Sequence, residues 1–202
     1  LLMVQDTPSL EITQMLNRWG QGDESAREQI MGLLYPELER LAASQLSRNV
    51  RGETLNTRVL VHEAYEKLSR GAVDVESRQH FMALAARVMR QVVVDYARRR
   101  TALRRGGTSI HYSLDDLQLS VADNPEEILL LSQVLDQLKV LGDSIVEVVE
   151  CRYFAGMTLD ETASALGISR RTVQRHWARG RAWLKQGLRE ALEVQTREES
   201  TG

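Results

Sequence analysis

Arg170, Arg171, Gln174, Arg175 and Arg179 recur at helical spacing within residues 157–188, MTLDETASALGISRRTVQRHWARGRAWLKQGL. Their shared chemistry is paired hydrogen bonding. An Arg guanidinium can donate twice to one guanine edge, and a Gln amide can pair in the same way with adenine. Such readout needs a rigid helix, and the neighbouring residues supply one. Thr158 and Glu161 stand at capping-box spacing, so each side chain can satisfy a free backbone donor at a helix start. Leu159, Ala163 and Leu166 then share a face. Gly167 follows, where a left-handed turn favours glycine. Ile168 plugs the turn, and Ser169 caps a second helix in which Val173, Trp177 and Leu184 point inward.

This pattern is a helix-turn-helix, which lays its second helix in the major groove of DNA. The N-terminal part of that helix reaches base edges, while later basic residues grip phosphates. Arg171, Gln174 and Arg175 are therefore assigned to bases. Arg170, Thr172, Arg179 and Arg181 are assigned to the backbone. A solvated basic face is the alternative for any one of them. The joint register of cap, small Ala, turn Gly and Val argues against it.

A second basic cluster lies upstream. Residues 87–105 carry Arg87, Arg90, Arg98, Arg99, Arg100, Arg104 and Arg105 against Asp95 alone. The formal net charge of the whole chain is only −2. Two basic patches on a mildly acidic chain point to two nucleic-acid contacts, with other surfaces left for another task.

At 202 residues, one or two domains are expected, and 43% hydrophobic residues suffice for ordinary cores. Sparse aromatics and proline suit an all-α protein. Cys151 is the only cysteine. It reads as core filler in a protein of the reducing cytoplasm. No apolar run reaches membrane-spanning length, and LLMVQDTPS lacks the features of a signal peptide. His62, His80, His111 and His176 are scattered without metal-ligand spacing, and no phosphate-cradling glycine motif follows a strand. Glu147 and Glu150 read as a solvated face rather than an acid–base pair. Neither an enzyme nor a cofactor or metal is implied.

In chain order, Ile12, Met15, Leu16 and Trp19 form a helical stripe ending at Gly20 and Gly22. A second run spans about Ser25 to Leu46, with Ile30, Leu33, Leu34, Leu38, Leu41 and Leu46 inward and Pro36 as a kink or restart. Ser47 to Thr54 reads as a loop. A third helix covers roughly Thr57 to Ser69 and ends at Gly71. A fourth runs from about Ser77 to Arg100. Residues 106–125 lose the helical period and read as a linker. Glu126–Leu138 and Asp143–Phe154 read as two further helices, and the tail from Val194 as frayed. The expected organisation is a flexible start (1–9), a helical domain (10–105), the linker, a second helical domain (126–192) and a flexible tail (193–202).

At this point the chain resembles the extracytoplasmic-function sigma factors, small promoter-specificity subunits of bacterial RNA polymerase. In the C-terminal part the resemblance rests on Arg152-Tyr153, Gly156-Met157-Thr158, Glu161-Thr162-Ala163, Leu166-Gly167, Ser169, Thr172-Val173, Arg179 and Arg181. Arg171 stands where the family commonly has Gly. This part is similar to sigma domain four, which reads the −35 promoter element. The N-terminal part resembles sigma domain two. Leu60, Val61, Glu63, Tyr65, Lys67 and Leu68 match the helix that clamps the coiled coil of the largest polymerase subunit. His80, Phe81, Arg90, Gln91, Tyr96, Arg98, Arg99 and Arg100 fall in the helix that melts the −10 element and holds its unpaired strand. Leu84 replaces a common Trp there, and Gln91 a common Asn. Strand capture needs stacking and a basic groove. For Phe81 and Tyr96, core packing is an equal reading. The resemblance implies core polymerase and promoter DNA as partners and a monomer when free.

The clamp helix departs from the family at its start. Asn56, Thr57, Arg58 and Val59 stand where the family has three acids and an Ala. A phosphate on Thr57, or secondarily Thr54, would restore about −1.5 to −2 of charge and suit a helix N-terminus. A Ser/Thr kinase is thus one expected partner, and an anti-sigma factor is the commoner control in the family. The alternative is that Asn56 or Thr57 merely caps the helix. A rival for the whole chain is a two-domain helix-turn-helix regulator acting without polymerase.

Overall fold

The computed structural model describes residues 7–49, 55–70, 75, 77–103 and 125–199. Among these there are eight α-helices and no strand. Residues 106–124 of the expected linker, Gly71 and Thr54 lie outside the described residues, while Pro125, expected in the linker, opens the helix Pro125–Leu138.

Helix α1 (Thr7–Gly20) turns at Gly22 into α2 (Glu24–Asn49). Asp23 holds that turn. Its carboxylate accepts from the Ala26 amide at 3.0 Å and pairs with Arg18 at 2.6 Å. The inward stripe of α2 is Ile30, Leu34, Leu38, Leu41 and Leu46. Leu33, expected inward, is 54% exposed, because neighbouring leucines on a helix cannot both sit on one narrow stripe. Pro36 does not split α2. It removes one helix hydrogen bond, but Leu34 and Leu38 on either side are buried and hold the helix in place. The helix also continues past the expected loop start at Ser47.

Helix α3 (Thr57–Arg70) buries Leu60, Val61, Ala64 and Leu68. Helix α4 (Arg78–Leu103) is the spine of the molecule. One side of it sends Phe81, Ala85 and Met89 into the core of α1–α3, with Phe81 tilted against Trp19 at 5.8 Å. Another side meets α5 (Pro125–Leu138), α7 (Leu159–Leu166) and the turn after α6 (Asp143–Val149). Val93 and Val94 of α4 lie beside Ile128, Leu131 and Leu135 of α5, so the core is continuous across this seam.

The expected single helix Asp143–Phe154 is two pieces. From Glu150 to Phe154 the chain widens into a π turn, with the Ala155 amide reaching back to the Glu150 carbonyl at 3.1 Å. This re-aims the side chains that follow.

Helix α8 (Arg170–Glu199) packs on α5 and α6 at close range. A Cβ on Gly180 would fall 2.4 Å from Val149 Cγ2, and one on Gly187 2.7 Å from Val134 Cγ1. These two glycines let the helices approach. The helix does not give way at Val194 but runs through Glu199, because its last turns are rich in strong helix formers and contain no Gly or Pro.

Candidate nucleic-acid interface

The helix-turn-helix is built by local chemistry. Thr158 accepts from the Glu161 amide at 3.2 Å, while the Glu161 carboxylate accepts from the Thr158 amide at 2.8 Å and its hydroxyl at 2.9 Å. Those bonds, the Thr158 backbone first, hold the Glu161 carboxyl below its ordinary value. Gly167 adopts φ 63°, ψ 26°, the left-handed turn that glycine takes at least cost. Ser169 then caps α8 by accepting from the Thr172 amide at 3.1 Å. The buried centre of α7 is Thr162 and Ala165. Leu159, Ala163 and Leu166, expected to carry that face, flank it and are half-buried. Val173 and Leu184 are buried, and Trp177 is half-buried beneath the Arg152 guanidinium at 5.5 Å.

On α8 the expected readers stand clear of the core. Arg170, Arg171, Gln174, Arg175, Arg179 and Arg181 are exposed, and Thr172 is half-buried. Arg170 reaches Asp160 of α7 at 3.5 Å. Among the described residues no ion pair reaches Arg171, Arg175 or Arg179.

Helix α4 is different. Phe81, a candidate for base stacking, is fully buried and packs as core. His80 and Tyr96 are half-buried, Gln91, Arg98 and Arg99 exposed, and Arg100 half-buried. Arg98 stands 3.5 Å from Asp95, and Arg99 donates to the Asp95 carbonyl at 3.3 Å. Arg90 and Arg87 both turn to Glu150. Arg87 Nε donates to one carboxylate oxygen at 2.6 Å, and Arg90 Nη2 to the other at 3.0 Å. Burial works against the Arg87 charge, but Glu150 overcomes it and raises its pKa. Glu150, expected on a solvated face, is thus a buried counter-charge. Sequence reasoning missed it. The available signal was its spacing, since Glu150 falls four residues from both Val146 and Phe154 on an apolar stripe.

On α3 the six candidate polymerase contacts separate into two groups. Leu60, Val61 and Leu68 are interior, because their spacing is that of the helix's own core stripe. Glu63 and Tyr65 are half-buried, with Arg27 over the Tyr65 ring at 5.6 Å. Lys67 is exposed and pairs with Asp95 at 2.8 Å. Asn56 is the helix cap, accepting from the Val59 amide at 3.0 Å. Thr57 follows it, half-buried, at the first helical position.

Among the described residues no helix is long and apolar enough to cross a membrane, and no acid, His and Cys group could hold a metal.

Among the described residues, all of the regular structure is helical, and a capped helix-turn-helix and a second basic helix are its two candidate nucleic-acid contacts. The family model described as ECF sigma factor matches residues 9–190, and the chain belongs to this family. Its members act in transcription initiation as DNA-binding sigma factors rather than enzymes. A solved structure, that of CnrH in complex with the cytosolic domain of CnrY, is similar at 18% identity and a TM-score of 0.41. The match covers 89% of this chain and 98% of that one. No match is found among curated protein sequences.

Proposed function

We propose that this sigma factor binds core RNA polymerase in the cytoplasm and directs initiation by reading two promoter elements. Residues 126–192 act as sigma domain four, with Arg171, Gln174 and Arg175 on −35 bases and Arg170, Thr172, Arg179 and Arg181 on phosphates. The observation that carries this is the exposed set Arg171, Arg175 and Arg179, which no ion pair reaches among the described residues, on a helix whose start is fixed by the Ser169 cap. Residues 10–105 act as sigma domain two, with α4 holding the melted −10 strand through Gln91, Arg98, Arg99 and Arg100. Helix α3 meets the polymerase coiled coil through its outer residues Glu63, Tyr65 and Lys67. Leu60, Val61 and Leu68 support that helix from behind.

The start of α3 is the proposed point of control. Exposed Arg58 stands where the family has an acid, and Thr57 sits at a helix N-terminus. A phosphate on Thr57 from a Ser/Thr kinase would reverse the local charge and favour the helix dipole. An anti-sigma partner is the alternative route.

Run-off transcription with core polymerase from the promoter of the factor's own operon tests both levels. Specific transcripts with the unmodified chain mean a factor competent as synthesised, controlled by a partner. Transcripts only with Thr57→Glu mean control by phosphorylation. Duplex operator binding without polymerase, and no transcripts from either form, would favour the two-domain regulator.

A further inference from the structure

Among the described residues Glu150 is the only buried carboxylate. Its side chain is 5% exposed, and each of its oxygens takes one guanidinium, Arg87 on one and Arg90 on the other. Glu147 adds an oxygen 3.7 Å from Arg87, and the Phe154 ring lies 5.6 Å below the Arg90 guanidinium. The cations all come from α4. The acids and the ring all come from the helices after residue 125. Two guanidiniums converging on one anionic group is an arrangement that suits phosphate as well as carboxylate. The carboxylate also leaves the site incompletely used, for Arg90 Nε is buried without a hydrogen-bond partner. Arg98 and Gln91, both exposed, continue along the same helix, where successive phosphates of one strand would lie.

We propose that Arg87 and Arg90 form a phosphate-binding site on α4, which Glu150 fills in the closed chain and yields to a nucleic-acid strand when α5–α8 swing away from α4. Glu150 is then both latch and mimic. It adds a charged tie to the apolar seam of Val93, Val94, Ile128, Leu131 and Leu135, and it hides two cations of the strand-holding face. This rests on the proposed reading of α4 as that face.

The test uses the full chain with Glu150→Gln, which keeps the shape but removes the charge. Two readouts separate the latch from the site. Small-angle scattering measures opening, and anisotropy of a labelled single-stranded oligonucleotide measures binding over a salt series. Opening is expected as a larger radius of gyration. If the latch leaves the open form about one-tenth populated, its loss raises apparent affinity about tenfold. Two added phosphate contacts should steepen the log–log salt slope by about 1.4, at ~0.7 per phosphate. Arg87→Ala with Arg90→Ala in the same background should cancel the gain. Glu147→Gln, which removes an equal charge from the more exposed acid, should give much less. No opening overturns the latch. Opening without tighter binding overturns the phosphate site alone, whereas the reading of α4 falls only if Arg98→Ala with Arg99→Ala also leaves oligonucleotide binding unchanged. Should Glu150→Gln fail to fold, the unmodified chain still decides by NMR. The Arg87 Nε–H signal is expected to be protected in the free protein and to shift when the oligonucleotide is added, as a phosphate replaces the Glu150 carboxylate as its acceptor. A signal that stays at its free-protein position at saturation, with Glu150 still its acceptor, sinks the proposal.

Discussion

On α8, Arg171, Arg175 and Arg179 extend into solvent, and among the described residues no ion pair reaches them. On α4, Arg87, Arg90, Arg98 and Arg99 each meet an acceptor within the chain. Both helices are similarly basic in sequence. The difference lies in what faces them. Helix α8 packs through a stripe of small and apolar residues, so its outer face is left open. Helix α4 is wrapped on more than one side and meets a buried acid on one of them. A run of arginines therefore identifies a helix that can bind an anion, but not whether the anion is internal or external.

The most damaging change to this contrast is Glu150→Ala. It strands two guanidiniums, one of them 15% exposed and the other 40%. A broken buried pair costs about 3–5 kcal/mol, and the exposure of Arg87 places this one near ~3. Urea unfolding of the variant should show that loss. A drop under ~1 kcal/mol would mean that the acid matters no more than a surface one. Gly180→Ala strikes at the packing that keeps the outer face of α8 clear. The clash with Val149 should cost about 1–3 kcal/mol as overpacking, offset in part by the ~1 kcal/mol helix preference of Ala. A net gain in melting temperature would show that α8 and α6 can separate cheaply.

Arg175→Ala sharpens the comparison on the DNA side. It should cost ~1–3 kcal/mol at a single −35 position and relax the choice of base there, read by promoter binding across a substitution series. Arg99→Ala should weaken binding of every sequence alike and flatten the salt dependence. Uniform weakening by Arg175→Ala would move that residue to the phosphate group.

The smallest expected effect concerns the cap that aims α8. The folded-state pKa of Glu161 is lowered, so its contribution is complete above its ordinary value of 4.5 and is lost as pH falls through the lowered one. Glu161→Gln can still accept the Thr158 amide but cannot titrate. Its stability profile should be flatter than that of the parent in this acid window. Thr158→Ala should cost about 1 kcal/mol at neutral pH.

The helix-turn-helix was legible in the sequence because its determinants lie within a few residues of one another. Thr158, Glu161, Gly167 and Ser169 act on backbone groups three or four positions away, and spacing alone exposes them. The helical stripes of α1 and α3 were legible for the same reason. The clasp was not. Its partners are 63 and 60 residues apart, and nothing periodic links them. The π turn was hidden because one added residue in a turn leaves the apolar pattern nearly intact. At Phe81 the sequence was truly ambiguous. A stacking aromatic and a core aromatic occupy the same register, and only the ring of Trp19 beside it distinguishes them.

Cys151 turns the seam into something that can be timed. It is the only cysteine, it is 2% exposed, and it clusters with Met157 and Ala165 against Met82 and Ala83 of α4. Burial pushes its thiol from an ordinary 9.0 up to about 12, so in the closed chain almost none of it is the thiolate that alkylating reagents attack. Parting the two halves would both uncover the sulfur and return its acidity. The rate of iodoacetamide uptake by the unaltered protein thus counts openings of this seam, with no label to install and no other thiol to confuse the clock.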